Sequence, residues 1–221
     1  MKETIWKILR LKMMRPFTHQ IMKRYNNRSY NKLQFDEWQK MGSPAPPPHL
    51  VKQSIIQEYQ QKSGYTVLVE TGTYLGDMVE AQKTKFKTVI SIELDVDLFK
   101  KAKERFKKDK NVILVQGDSG KVLPEILKDI NEPAIFWLDG HYSAGVTAKG
   151  DKECPIFEEL DAIFNSKKLD HILLIDDARL FNGERSYPTE EKLTDCIKSK
   201  NEKYIFLSEH DIIRYIIEPH L

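Results

Sequence analysis

The stretch Tyr65-Thr-Val-Leu-Val-Glu-Thr-Gly-Thr-Tyr-Leu-Gly76 joins a short apolar run to a turn that contains glycine. Residues 65–70 are apolar and β-branched and end at Glu70, which predicts a buried strand. Gly72 allows a tight turn with close backbone approach, and Gly76 lets a following helix pack near the strand. A strand, a glycine turn and a helix in this order are typical of the first unit of a doubly wound α/β sheet.

The same alternation of apolar runs and helical patterns continues along the chain. The first five runs are almost wholly apolar, as expected for strands buried on both faces of a mainly parallel sheet. The last two runs are too close for a helical crossover, so we expect an antiparallel hairpin. The prediction is an α/β fold: a doubly wound, seven-stranded, mainly parallel sheet with the last strand antiparallel and helices on both faces. The predicted strands are 65–70, 87–92, 111–115, 133–138, 171–175, 204–207 and 212–217, with helices at 49–62, 75–84, 96–108, around 123–127, 155–165 and 188 to about 200.

A basic, helical extension is predicted before this sheet. Apolar residues recur at helical spacing over residues 3–25, and residues 1–32 carry nine Lys or Arg and one Glu, a net charge of +8. The Pro-rich stretch 42–48 then interrupts helix formation. We therefore divide the chain into an amphipathic helix with a linker (1–48) and a Rossmann-like domain (49–221). Three roles stay open for the helix: peripheral contact with an anionic membrane, packing on the domain, and formation of a homodimer.

Composition narrows the classes of function. No apolar run approaches the ~20 residues of a membrane span, and the first residues do not resemble a secretory signal. Two isolated cysteines, Cys154 and Cys196, indicate a reducing compartment. We expect a cytoplasmic protein, or one peripheral to the inner face of the membrane. Since residues 33–221 carry a net charge of −6, no nucleic-acid partner is expected.

Acids stand at the ends of the first three predicted strands, where such sheets bind ligands. The dinucleotide fingerprint and the phosphate-binding loop are both absent, which disfavours a pyrophosphate ligand. Glu70 would suit a cationic ligand, and Glu93 can accept bonds from two ribose hydroxyls. Asp118 follows the third strand, where its side chain either reaches an adenine ring or caps the next helix.

Together these residues resemble the class I S-adenosylmethionine-dependent methyltransferases over residues 64–217. The resemblance implies an enzyme that transfers a methyl group and binds S-adenosylmethionine at the ends of the first strands. The implied cofactor-binding residues are Glu70, Gly72, Thr73, Tyr74, Gly76, Glu93, Asp118, Ser119 and Asp139.

Three more acids follow the fourth and fifth strands, as Asp139 in LDGHYS and as the pair Asp176 and Asp177 in IDDA. Strands 4 and 5 are neighbours in this fold, so the three carboxylates should converge and either bind a divalent cation or form caps and salt bridges. The pattern resembles the metal-dependent O-methyltransferases of the catechol and macrocin types. That resemblance implies a Mg²⁺ or similar ion on Asp139, Asp176 and Asp177.

The acceptor chemistry is predicted from the residues that follow Asp139. The motif that is typical of N-methylation of bases and amides is missing here, and His141 stands where the macrocin-type group has an acid. A neutral His can take the proton of a hydroxyl, so His141 and Asp139 are the predicted catalytic residues. The favoured function is a metal-assisted O-methyltransferase acting on a small molecule or glycan. The alternatives are a metal-independent methyltransferase and a non-catalytic module that docks through its N-terminal helix.

Overall fold

The computed structural model describes residues 28–140, 154–167 and 169–218. The chain separates into two compact units, Met1–Pro44 and Ala45–Leu221. In the first unit, helix α1 (Arg28–Lys40) is followed by a turn in which Trp38 Nε1 donates to the carbonyl oxygen of Pro44 over 2.8 Å. The sequence pattern did not predict α1, because Trp38 is the one buried side chain among residues 32–40. The predicted helix at 3–25 lies outside the described residues.

The second unit alternates strands and helices in the predicted order. Strand boundaries agree with the predicted runs to within two residues, and helix α3 is shorter than predicted at both ends. Its elements are α2 (His49–Ser63), β1 (Val67–Thr71), α3 (Asp77–Gln82), β2 (Thr88–Glu93), α4 (Val96–Arg105), β3 (Val112–Gln116), α5 (Ser119–Asp129), β4 (Ala134–Leu138), α6 (Ile156–Phe164), β5 (Ile172–Ile175), α7 (Glu190–Lys200), β6 (Ile205–Glu209) and β7 (Ile212–Ile216).

The strands form one seven-stranded sheet in the order β3-β2-β1-β4-β5-β7-β6. Strands β1 to β5 pair in parallel, and β7 pairs antiparallel with both β5 and β6. His210 and Asp211 join β6 to β7 with φ of 56° and 63°, the conformation of a two-residue hairpin turn. The predicted fold class, including the hairpin and the reversed last strand, is confirmed.

The centre of the sheet is its most apolar part. Every residue of β1, β4, β5 and β7 is buried, whereas the edge strand β3 is only half-buried. Helix α2 packs against β4, and α3 packs against β2. Strand β1 lies between β2 and β4, so the strand order reverses direction beside β1. Such sheets bind ligands at the carboxyl ends of the strands at this reversal.

Short polar signals set the helix ends that frame this point. Gly64 ends α2 with φ of 70°, and its N–H donates to the carbonyl oxygen of Gln60. Asp95 begins α4 by accepting from the N–H groups of Asp97 and Leu98. None of the helices in the described ranges is long and apolar enough to cross a membrane.

Candidate cofactor site and acid cluster

The turn after β1 brings its backbone against the end of β4. The N–H groups of Gly72 and Thr73 both donate to the carbonyl oxygen of Ile92, at 2.9 and 3.1 Å. Gly72 has φ of +87°, and a Cβ added there would lie 2.5 Å from the carbonyl oxygen of Asp139. Gly76 has φ of +77°, and its Cβ would lie 2.6 Å from the ring of Phe106. Both positions therefore need glycine for conformation and for space.

Glu70 belongs to a hydrogen-bonded row of three side chains beside this turn. Ser91 Oγ donates to Glu70 Oε2 over 2.5 Å, and Ser91 shares a second bond of 2.6 Å with the hydroxyl of Thr73. Glu70 is 2% exposed, and burial raises its pKa to about 8, against the effect of the bond from Ser91. At neutral pH this acid is therefore mostly protonated in the protein alone.

Glu93, at the end of β2, forms hydrogen bonds to the backbone of the same turn. Its Oε2 accepts from the N–H of Tyr74 over 2.6 Å, and its Oε1 accepts from the N–H of Asp95 over 2.8 Å. Burial raises the pKa of Glu93, and these two donors oppose that effect. A carboxylate has about four acceptor positions, and the backbone of Leu94 also donates to this one, so at least one position remains for a ligand. Tyr74 has φ of 49° and a side chain that is 45% exposed.

The region after β3 combines a helix cap with a buried acid. Asp118 caps α5 by accepting from the N–H of Gly120, so it has the capping role that the sequence allowed. Ser119 is buried and donates to Glu159 Oε1 over 2.6 Å. Glu159 comes from α6 and is 1% exposed. The sequence analysis missed Glu159, although it stands among apolar residues at helical spacing in α6.

The three acids after β4 and β5 come together as predicted. The N–H of Asp176 donates to the carbonyl oxygen of Leu138, which places Asp176 beside the end of β4. Asp177 has φ of 56°, and its N–H donates to Asp176 Oδ1 over 2.8 Å. Burial and the charge of Asp176 raise the pKa of Asp139 well above its usual range.

A lysine that the sequence analysis missed lies in this acid cluster. Lys52 of α2 donates to Asp176 Oδ2 over 2.5 Å and lies 3.6 Å from Asp177 Oδ1. Arg179 approaches the same oxygen of Asp177, donating to Oδ1 over 2.8 Å, and it also contacts Asp211. Burial lowers the pKa of Lys52, but the acids around it raise the pKa more, so the ammonium stays charged.

No group of three or more His, Cys, Asp or Glu within residues 28–140, 154–167 and 169–218 has the arrangement of a metal site. The predicted catalytic His141 lies outside the described residues. The remaining predicted site residues are Glu70, Gly72, Thr73, Tyr74, Gly76, Glu93, Asp118, Ser119, Asp139, Asp176 and Asp177, and all lie at the carboxyl ends of strands β1 to β5.

Comparison with known proteins gives structural relatives alone, since no family model and no curated protein matches the sequence. An O-methyltransferase from Bacillus cereus, in complex with SAH, has a TM-score of 0.57 at 12% identity, over 87% of this chain and 92% of its own. The O-methyltransferase TomG from Streptomyces achromogenes, in complex with SAM, has a TM-score of 0.54 at 11% identity, over 86% and 90%.

The N-methyltransferase NodS from Bradyrhizobium japonicum, in complex with SAH, has a TM-score of 0.51 at 12% identity, over 84% of this chain and 98% of its own. Because their sequence identities are far below 25%, these relatives show the fold alone. The described chain has the fold of the class I S-adenosylmethionine-dependent methyltransferases.

Proposed function

We propose that this protein is an S-adenosylmethionine-dependent methyltransferase. The observation that carries the proposal is Glu93, a buried acid at the end of β2 that is held by backbone N–H groups and keeps room to accept from a ligand. The fold supports it, because the structural relatives include proteins in complex with SAM and SAH.

The residues of the site fit this cofactor. The glycine turn provides the close backbone approach that a side chain at Gly72 would fill. Glu93 would accept from ribose hydroxyls, and Asp118 and Ser119 would border the adenine. Glu70 would face the ammonium group of the cofactor, whose charge favours ionisation of this acid. Thr73, Tyr74 and Gly76 complete the turn, and Asp139 borders it from β4.

For the reaction we propose O-methylation of a hydroxyl on a small molecule or glycan. The bound cofactor supplies a methyl group on a cationic sulfur. His141, two residues beyond Asp139, would take the proton of the acceptor hydroxyl, as a neutral imidazole can near pH 7. Asp139 would orient the acceptor at the carboxyl end of β4. N-methylation is the second candidate, since the relatives include an N-methyltransferase.

Metal assistance was predicted from Asp139, Asp176 and Asp177, and their donor chemistry suits a divalent cation. However, the ammonium of Lys52 already contacts two of these acids. This contact favours the metal-independent alternative. The alternative from another functional class is a non-catalytic binding module. Such a module would dock through residues 3–25, either in the cytoplasm or at the membrane.

The proposal is tested by calorimetry of S-adenosylhomocysteine with the full chain and with Glu93→Gln. The amide removes one charged acceptor, so affinity should fall by about 10- to 150-fold, the scale of one charge-assisted hydrogen bond. Glu104→Gln, an exposed acid on α4, is the matched control and should bind like the wild type. Undetectable binding by the wild type, or equal affinity in all three proteins, would contradict the proposal.

Transfer itself is measured with a labelled methyl donor and a panel of sugars, phenols and glycolipids. Label in a hydroxyl-bearing acceptor, lost in His141→Ala, would support O-methylation. Binding without transfer to any acceptor would favour the non-catalytic module.

A further inference from the structure

Lys52 occupies an unusual position for a charged residue. It follows the buried Val51 and precedes Ile55, Ile56 and Tyr59 by three, four and seven residues, so it lies beside the buried stripe of α2. Its side chain is 15% exposed. A cation placed on a buried stripe is unfavourable unless it is paired, so its stability depends on partners from elsewhere in the chain.

Those partners are the acids of the cluster formed by Asp139, Asp176 and Asp177. Lys52 Nζ lies 2.5 Å from Asp176 Oδ2, and the side chain of Asp176 is 1% exposed. The same ammonium lies 3.6 Å from Asp177 Oδ1. A divalent ion that bound these two oxygens would therefore compete with the ammonium of Lys52.

We propose that Lys52 is the built-in cation of this acid cluster and that its ammonium takes the place of a divalent metal ion. A second cation of the cluster agrees with this assignment. Arg179 donates to Asp177 Oδ1 over 2.8 Å, so this acid already has two positively charged neighbours. A divalent ion would have to displace Lys52. The inference does not depend on the proposed function, because metal binding and thermal stability test it without turnover.

The decisive variant is Lys52→Met, which keeps most of the length and the apolar stem of the side chain and removes the charge. Without metal, its melting temperature should fall by roughly 6–20 °C, as expected when one partner of a buried ion pair is lost. With the ammonium gone, Asp176 loses its charged partner, and a divalent ion can supply the missing positive charge. Mn²⁺ or Ca²⁺ at about 100 times its Kd should then raise the melting temperature by roughly 5–10 °C.

Wild-type protein should change by less than about 1 °C under the same additions, since an ion that does not bind gives no stabilisation. Lys83→Met is the matched control, because Lys83 is also mostly buried and pairs with two acids, Glu80 and Asp109, both at 3.1 Å. This variant should lose stability and regain none with metal. The double variant Lys52→Met/Asp176→Asn should lose the gain seen in Lys52→Met, which locates the ion at the cluster.

Free Mn²⁺, counted by electron paramagnetic resonance, gives a second readout. Lys52→Met should deplete free Mn²⁺ at a ratio near one per chain, and wild-type protein should not. If Lys52→Met folds only with Mn²⁺ present, that rescue supports the inference. Stoichiometric Mn²⁺ binding by the wild type, or no metal response in folded Lys52→Met, would overturn it, as would failure of Lys52→Met to refold both with and without metal.

Discussion

Glu70 should make the stability of this protein fall as pH rises through neutrality. Its pKa is about 8 in the folded chain because the carboxyl is buried, whereas the ordinary value of 4.5 applies when the chain is unfolded. The folded-state pKa is raised, so the stability contributed by the protonated acid is complete below pH 4.5. It is lost progressively as pH rises from 4.5 through 8.

The size of the effect follows from the two pKa values. Each pH unit between them is worth about 1.4 kcal/mol, so the whole window amounts to about 5 kcal/mol of unfolding free energy. Glu70→Gln removes the titration and keeps an oxygen that can accept from Ser91. Relative to the wild type, the variant should therefore gain about 3–4 kcal/mol between pH 5 and pH 8.

The assay is denaturant unfolding followed by circular dichroism at pH 5, 6.5 and 8, with the free energy extrapolated to water. Comparing the two proteins isolates Glu70, because the other buried acids of the site are common to both. Glu125→Gln, at an exposed acid that pairs with Lys128, should run parallel to the wild type. A difference between Glu70→Gln and the wild type that stays constant with pH would refute the reasoning.

Two further pairs of substitutions test the glycine positions and the cap of helix α5. Gly64→Ala places a Cβ at φ of +70° with no atom within 4 Å, so it should lower the free energy of unfolding by about 1 kcal/mol. Gly72→Ala also places its Cβ 2.5 Å from the carbonyl oxygen of Asp139, so it should destabilise the protein clearly more. It should also weaken the binding of S-adenosylhomocysteine. Equal melting temperatures for the two variants would show that the contact at Gly72 relaxes. Asp118→Ser keeps a cap on α5, whereas Asp118→Ala should lose about 1 kcal/mol of stability. Calorimetry should show weaker S-adenosylhomocysteine binding in both Asp118 variants. If Asp118→Ser binds normally, Asp118 serves only as the helix cap.

The fold was predictable because its signals are local and strong. Strands β4 and β5 are continuous apolar runs, and such runs indicate burial on both faces without any knowledge of neighbouring strands. Helix α1 lacked that signal, since a single buried Trp38 on a polar helix gives no periodicity. The positions of Glu70, Glu93 and Asp118 followed from the strand ends.

The charged residues on buried helix faces were not predictable in the same way. Lys52 and Glu159 are charged residues on or beside an apolar stripe at helical spacing. A charge in such a position is the signal that could have identified them. Their roles depend on partners distant in sequence: Lys52 bonds to an acid 124 residues later, and Glu159 bonds to a serine 40 residues earlier. Only the assembled sheet brings such pairs together. The cofactor roles of the site residues and the part played by His141 stay predictions.

The position of β7 has a consequence for how the chain folds during synthesis. β6 is made before β7, yet β7 is its neighbour in the sheet and separates it from β5. Until residues 212–216 have left the ribosome, β5 has an unpaired apolar edge and β6 has no strand to join. Such edges can pair with other chains. We therefore expect nascent chains that stall shortly before β7 to be the species most prone to aggregation and most dependent on chaperones.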